Sequence, residues 1–233
     1  MLSSSLPVAI VLQMYALGGS LFAMIHADIR LSSVHDDGSF ASIQVANDII
    51  NVSPQNNAEF SMNSAGGSLY LTSRFSMTLS DVRVTACFAS TAYDGANSAN
   101  ITFSMSAIGG AAALLSGSSP FFDGKETRRM FKNPSQISMR AVHFNGNRAS
   151  CVRNLALNSF NSSDITVLGG AVALLHSNSF GPPRNQTEAK HDQFISLAGV
   201  IFSNNNLSAV FPRQTYEPRS ALNLSVVVLG GSL

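Results

Sequence analysis

Apolar and polar residues alternate along this chain in short runs that end at glycine or asparagine, and no long stripe of helical period is visible. Ile137-Ser138-Met139-Arg140-Ala141-Val142-His143-Phe144 is one such run, and Asn100-Ile101-Thr102-Phe103-Ser104-Met105 is another. Their length, β-branched content and flanking turn residues predict strands.

The runs are arranged around a recurring glycine pair, at Gly18-Gly19, Gly66-Gly67, Gly109-Gly110, Gly169-Gly170 and Gly230-Gly231. A polar, β-branched run precedes the pair, and a small aliphatic run follows it, such as Ala111-Ala112-Ala113-Leu114-Leu115 or Ala171-Val172-Ala173-Leu174-Leu175. A third run with a late aromatic residue comes further on, and asparagines close the unit: Asn145 and Asn147 in one copy, Asn204 to Asn206 in another. One unit repeated in one internal order marks a repeat architecture. Glycine supplies the positive φ and close backbone approach of a sharp corner, and asparagine tolerates the left-handed conformation.

Three short strands joined by such corners make one coil of a parallel β-helix, with asparagines stacked into amide ladders and small residues in a crowded interior. An all-β sandwich or barrel also contains many short strands, but its strands do not resemble one another from copy to copy. The predicted fold is all-β: one parallel β-helix (solenoid) over residues 1–233, incomplete at both ends.

Unequal spacing between the glycine pairs predicts insertions near 116–135 and 180–192, where breakers and charges collect. Both follow the strand after a glycine pair, which puts them on one side, where insertions often form a binding face. Leu6 to Met24 is apolar and reads as a signal segment or anchor. It also contains Leu17-Gly18-Gly19-Ser20-Leu21-Phe22, nearly the text of Ala65-Gly66-Gly67-Ser68-Leu69-Tyr70, which reads as an ordinary repeat strand. The last copy stops in mid-pattern and neither end offers a polar cap, so the chain reads as a piece of a longer repeat protein.

Composition narrows partner and compartment. The 14 basic and 13 acidic residues give a net charge of +1, without the basic excess of a nucleic-acid-binding domain. Acceptor triplets for N-glycosylation begin at Asn51, Asn100, Asn161, Asn185, Asn206 and Asn223, which predicts a secretory route. Cys87 and Cys151, at about 20 to 30 residues per coil, fall two or three coils apart, roughly 10 to 15 Å. That exceeds the reach of a disulfide, about 7 Å between α-carbons, and predicts two buried free thiols.

Motifs of chemistry are sparse. There is no phosphate loop at Gly117 to Lys125, no nucleophile elbow and no CxxC. His26, His35, His143, His176 and His191 lack ligand spacing and read as surface or corner residues. His35-Asp36-Asp37 and His191-Asp192 place a base beside carboxylates, but read as solvated loop charges. Lys125, Arg128, Arg129 and Lys132, mixed with Asp123 and Glu126, are a weak candidate clamp for an anionic sugar or phosphate against the simpler reading of a solvated loop. No catalytic residue, metal or cofactor is assigned.

Gly169-Gly170-Ala171-Val172-Ala173-Leu174 and Gly109 to Leu114, followed downstream by Phe144-Asn145-Gly146-Asn147 or Phe202-Ser203-Asn204-Asn205, resemble the GGA(I/V/L) and FxxN repeats of polymorphic outer-membrane-protein β-helices. They are also similar to the repeats of kinetoplastid membrane-associated surface proteins. The resemblance covers most of the chain as a repeat pattern. It implies a pectin-lyase-like β-helix at the cell surface or outside the cell, membrane-associated through flanking regions of a parent protein, with an adhesive or scaffolding role and a glycan or protein as partner. It carries over no catalytic residue. The alternative is a carbohydrate-active β-helix enzyme resembling the pectate lyases, which needs clustered Asp, Arg or Lys on one strand face.

Overall fold

The computed structural model describes residues 10–25, 27–46, 58–73, 75–94, 101–116, 136–153, 162–176, 194–210 and 224–230. Regular structure in them is entirely strand, and the strands pair in parallel within four sheets. Sheet A holds β1 (Ile10–Leu17), β5 (Ala58–Ala65), β9 (Ile101–Ile108), β13 (Ser162–Leu168) and β18 (Leu224–Leu229). Sheet B holds β2 (Leu21–Ile25), β6 (Leu69–Ser73), β10 (Ala112–Ser116) and β14 (Val172–His176). Sheet C holds β3 (Ile29–Asp37), β7 (Ser76–Thr85), β11 (Gln136–Asn145) and the pair β15 (Phe194–Ala198) and β16 (Ile201–Ser203). Sheet D holds β4 (Phe40–Ala46), β8 (Phe88–Asp94), β12 (Arg148–Arg153) and β17 (Asn206–Val210).

The chain visits A, B, C and D in turn, and each strand meets its equivalent between 43 and 61 residues later. The predicted all-β class with parallel pairing holds, but the unit has four strands where three were expected. The missed strand is the one in sheet D. Its Ser, Ala and Thr content, as in Phe88-Ala89-Ser90-Thr91-Ala92, reads as the tail of an asparagine corner although its positions alternate between half-buried and buried with the period of a strand. The apolar N-terminal run is repeat strand over the described residues: β1 pairs with β5 from Ile10↔Ala58 to Leu17↔Ala65, and β2 with β6 from Leu21↔Leu69 to Ile25↔Ser73.

Two corners fix the turn of the chain by different means. At the A-to-B corner Gly109 has φ +64°, and a Cβ there would lie 2.1 Å from the Ala112 carbonyl oxygen. A Cβ on Gly110 would lie 2.0 Å from the carbonyl oxygen of Gly170 on the next traverse. The first glycine serves conformation and the second serves approach. At the C-to-D corner the residues in register are Ser39, Cys87, Asn147 and Asn205, and side chains join the layers. Asn147 Oδ1 accepts the Cys87 N–H at 3.0 Å, while Asn147 Nδ2 donates to Asn205 Oδ1 at 3.0 Å and to the Val84 carbonyl at 3.1 Å. Asn205 Oδ1 accepts the Asn147 N–H at 3.0 Å, and its Nδ2 donates to the Phe144 carbonyl at 3.0 Å. The expected amide ladder is present between these two traverses.

A third feature lies inside sheet C. Ser33, Asp81 and Ala141 have φ of 54°, 52° and 53°, and Gly199, between β15 and β16, has 63°. This left-handed column bends each strand and resets its alternation: in β11 Ile137 and Met139 face inward, then Val142 and Phe144. Three of the four residues carry a Cβ, at a cost of about 1–2 kcal/mol each.

The interior contains two apolar clusters. One is built on Leu69, Leu71, Met77, Leu79, Val82 and Phe144 between sheets B and C, the other on Phe60, Met62, Tyr93, Phe103 and Met105 between sheets A and D. Equivalent rings stack along the column, Phe60 on Phe103 at 5.2 Å and Phe144 on Phe202 at 5.4 Å. Such pairs add about 0.5–1.5 kcal/mol beyond their burial. A third cluster, with Tyr70, Ala113 and Leu115 from sheet B and Ala65 and Ile108 from sheet A, lies apart from both. The small residues after the glycine pair are therefore divided: Ala111 and Ala112 face the interior, whereas Ala113 belongs to this third cluster.

Candidate binding faces

Because the strands are in register, side chains that alternate outward form columns across the traverses. On sheet D, Ser42, Ser90, Ser150 and Ser208 share one column, of which Ser42 is exposed and Ser150 buried. The Ser42 and Ser90 hydroxyls are 3.0 Å apart, and Arg148 Nη2 donates to Ser208 Oγ at 3.1 Å. Phe40 stacks on Phe88 in the adjacent column, with centroids 5.2 Å apart. On sheet A, Asn63 and Ser106 are opposite each other, and Ser106 Oγ donates to Asn63 Oδ1 at 2.7 Å.

Sheet C carries the charge. His35, Arg83 and His143 share a column, and Ser32, Ser80 and Arg140 share another on the far side of the left-handed residue. Asp81 Oδ2, at the bend, accepts the Ser33 hydroxyl at 3.2 Å. Among the described residues the exposed arginines are Arg30, Arg83, Arg140 and Arg148, all in sheets C and D.

The interior contains polar groups with defined jobs. Asp36 takes the inward column position held by Val84 and Phe144 on later traverses. It accepts the hydroxyls of Ser20 and Ser39 at 2.7 Å each and that of Ser68. Burial pushes its carboxyl up, but the bonds from Ser68, Ser20, Ser39 and the Asp37 N–H outweigh this and hold it below the ordinary value. This polar plug in the first traverse went unseen in the sequence, because Asp36 was read within a loop. The Arg153 guanidinium is buried over the Phe103 ring, 4.4 Å from its centroid. Burial lowers its pKa to about 10, with Tyr93 opposing, so it stays charged at neutral pH.

Both cysteines are free and buried, as predicted, though for a different geometric reason. They sit on adjacent traverses, Cys87 level with Asn147 and Cys151 level with Thr91. Four residues of extended strand, roughly 13 Å, separate the two levels, beyond the reach of a disulfide. Burial pushes both thiols up to about 11.

His35 and Asp36 do not form a base and its carboxylate partner, because neighbours on a strand face opposite ways: His35 is outside and Asp36 inside. His143 lies on sheet C and His176 ends β14. Asn206, exposed, opens β17. His26, His191, Asn51, Asn100, Asn161, Asn185 and Asn223 lie outside the described residues, as do Lys125, Arg128, Arg129, Lys132 and the insertions, apart from Ser116 at the end of β10. Among the described residues no three His, Cys, Asp or Glu side chains assemble into a set that could hold a metal. The charged columns of sheet C were missed: aligning the units at their glycine pairs puts Arg83 beside His35, but the longer stretch between β10 and β11 takes His143 out of that alignment. No protein-family model, curated protein or solved structure matches the chain.

Proposed function

We propose that the chain is a cell-surface or secreted repeat protein with an adhesive or scaffolding role, folded as a parallel β-helix of the pectin-lyase-like kind. It binds glycans or proteins along its outer sheet faces without chemical turnover. The observation that carries this reading is the column of like side chains, above all the exposed Ser42 and the half-buried Ser90 and Ser208, with Ser150 of the same column buried. Three traverses offer a polymeric partner a similar weak contact, and linked weak contacts sum to useful avidity. Secretory passage is supported by the exposed Asn206, which opens an acceptor triplet with Leu207 and Ser208. Membrane attachment through flanking regions of a longer protein belongs to the same reading.

The test is a glycan array and a cell-surface binding assay with the purified chain, paired with incubation on polyuronide. Retention on a glycan or cell-surface protein without release of unsaturated sugar is the expected result. Release of unsaturated sugar would establish the polysaccharide-cleaving alternative, and absence of any binding would remove the adhesive reading.

A further inference from the structure

We infer that the outer face of sheet C, centred on Arg83, Arg140 and His143, binds an acidic polysaccharide, an inference that rests on the glycan-binding reading above. The placement comes from the left-handed column. Residues three apart on an ordinary strand face opposite ways, but the reset at Ala141 puts Arg140 and His143 on the same outer face. Asp81 does the same for Ser80 and Arg83 on β7. His143 is directly opposite Arg83, on strands about 4.8 Å apart, so three cationic or hydrogen-bonding groups from two strands share one small area. Backbone strain repeated on three traverses is thus tied to which side chains reach the surface.

The charge balance favours an anion. The carboxylate nearest this area in sequence, the exposed Asp81, accepts the Ser33 hydroxyl and keeps its charge, so the two guanidinium groups outnumber it by one. The side chains of Arg83 and Arg140 make neither ion pair nor hydrogen bond among the described residues. Residues 136–153 contain Arg140, Arg148 and Arg153 and no acidic residue, whereas the first strand of the sheet carries Asp36 and Asp37 and directly follows Asp28. The cationic centre is therefore β7 and β11. A guanidinium fork engages a carboxylate or sulfate through two bonds, and a chain lying across the strands meets the arginine of one traverse and then that of the next. A net charge of only +1 argues against a nucleic acid.

The experiment measures binding of the chain to polygalacturonate, heparin, a neutral glucan and single-stranded RNA, using wild type, the double variant Arg83→Gln/Arg140→Gln, and Glu59→Gln on the exposed side of sheet A. Wild type is expected to favour one of the two acidic glycans, polygalacturonate if carboxylates are read and heparin if sulfates are. The double variant should bind it about tenfold or more weakly with a flatter salt dependence, and E59Q should change it less than about twofold. An unchanged urea midpoint shows that the exposed substitutions leave the fold intact. Preference for neutral glucan or RNA, or undiminished acidic-glycan binding by the double variant, overturns this inference while leaving a general binding role standing. Failure to bind any glycan overturns both.

Discussion

The A-to-B and C-to-D corners solve the same problem in opposite ways. At the glycine corner the layers approach until no Cβ fits, and backbone meets backbone: Gly110 N–H donates to the Gly169 carbonyl at 3.0 Å. At the asparagine corner the layers are joined by side-chain amides that satisfy buried backbone groups of the neighbouring traverse. Removing side chains makes a corner intolerant of any addition. Adding hydrogen-bonding side chains makes it tolerant of variation, since Ser39 and Cys87 occupy the positions of Asn147 and Asn205.

The comparison breaks first at Gly110. Gly110→Ala should cost about 3 kcal/mol or more, because its Cβ meets backbone that cannot yield, whereas Gly38→Ala, at φ +76° with open space around the Cβ, should cost only about 1–2 kcal/mol. Urea denaturation compares them, and equal losses would contradict the account of the second glycine. Asn147→Ala comes next: it strands the buried Cys87 N–H, as Asn205→Ala strands the Asn147 N–H, and each should lose about 2–3 kcal/mol. If both variants lose less than about 0.5 kcal/mol, the ladder does not couple traverses.

Two smaller effects follow from titratable groups in the interior. Cys87 and Cys151 have folded pKa values of about 11 against 9.0. Their contribution is whole below pH 9 and is lost as the pH rises through 11, because the unfolded chain releases these protons first. Urea midpoints between pH 8 and 11 should fall for wild type and fall less for Cys151→Ala. Asp36, held below its ordinary value, works in the other direction: its contribution is present above pH 3.8 and is lost as the pH falls through the lowered value. Asp36→Asn should make the acid side of the stability profile slightly shallower, and an unchanged profile would show that the serine hydroxyls do not favour its charge.

Legibility followed the same division. A glycine pair is required wherever backbones touch, so the A-to-B corner is written plainly at every traverse and is visible without alignment. The asparagine corner was visible where it contained asparagine, at Asn147 and Asn205, and hidden at Ser39 and Cys87, where other small polar residues suffice. Sheet D was lost with it, since its start follows that corner. The charged face of sheet C was unreadable because a reset of alternation by Ser33, Asp81 or Ala141 leaves no mark in composition: two of the three residues have little intrinsic preference for positive φ.

The register also has an evolutionary consequence. β6 and β7 are separated by Arg74 and Phe75, whereas residues 117–135 come between β10 and β11, yet Ser73 still pairs with Ser116 and Ser76 with Gln136. Layer matching is set by the strands and is indifferent to the length of chain between sheets B and C. That junction is a place where lineages can lengthen, shorten or exchange sequence without disturbing a single paired strand, and where a foreign peptide can be grafted.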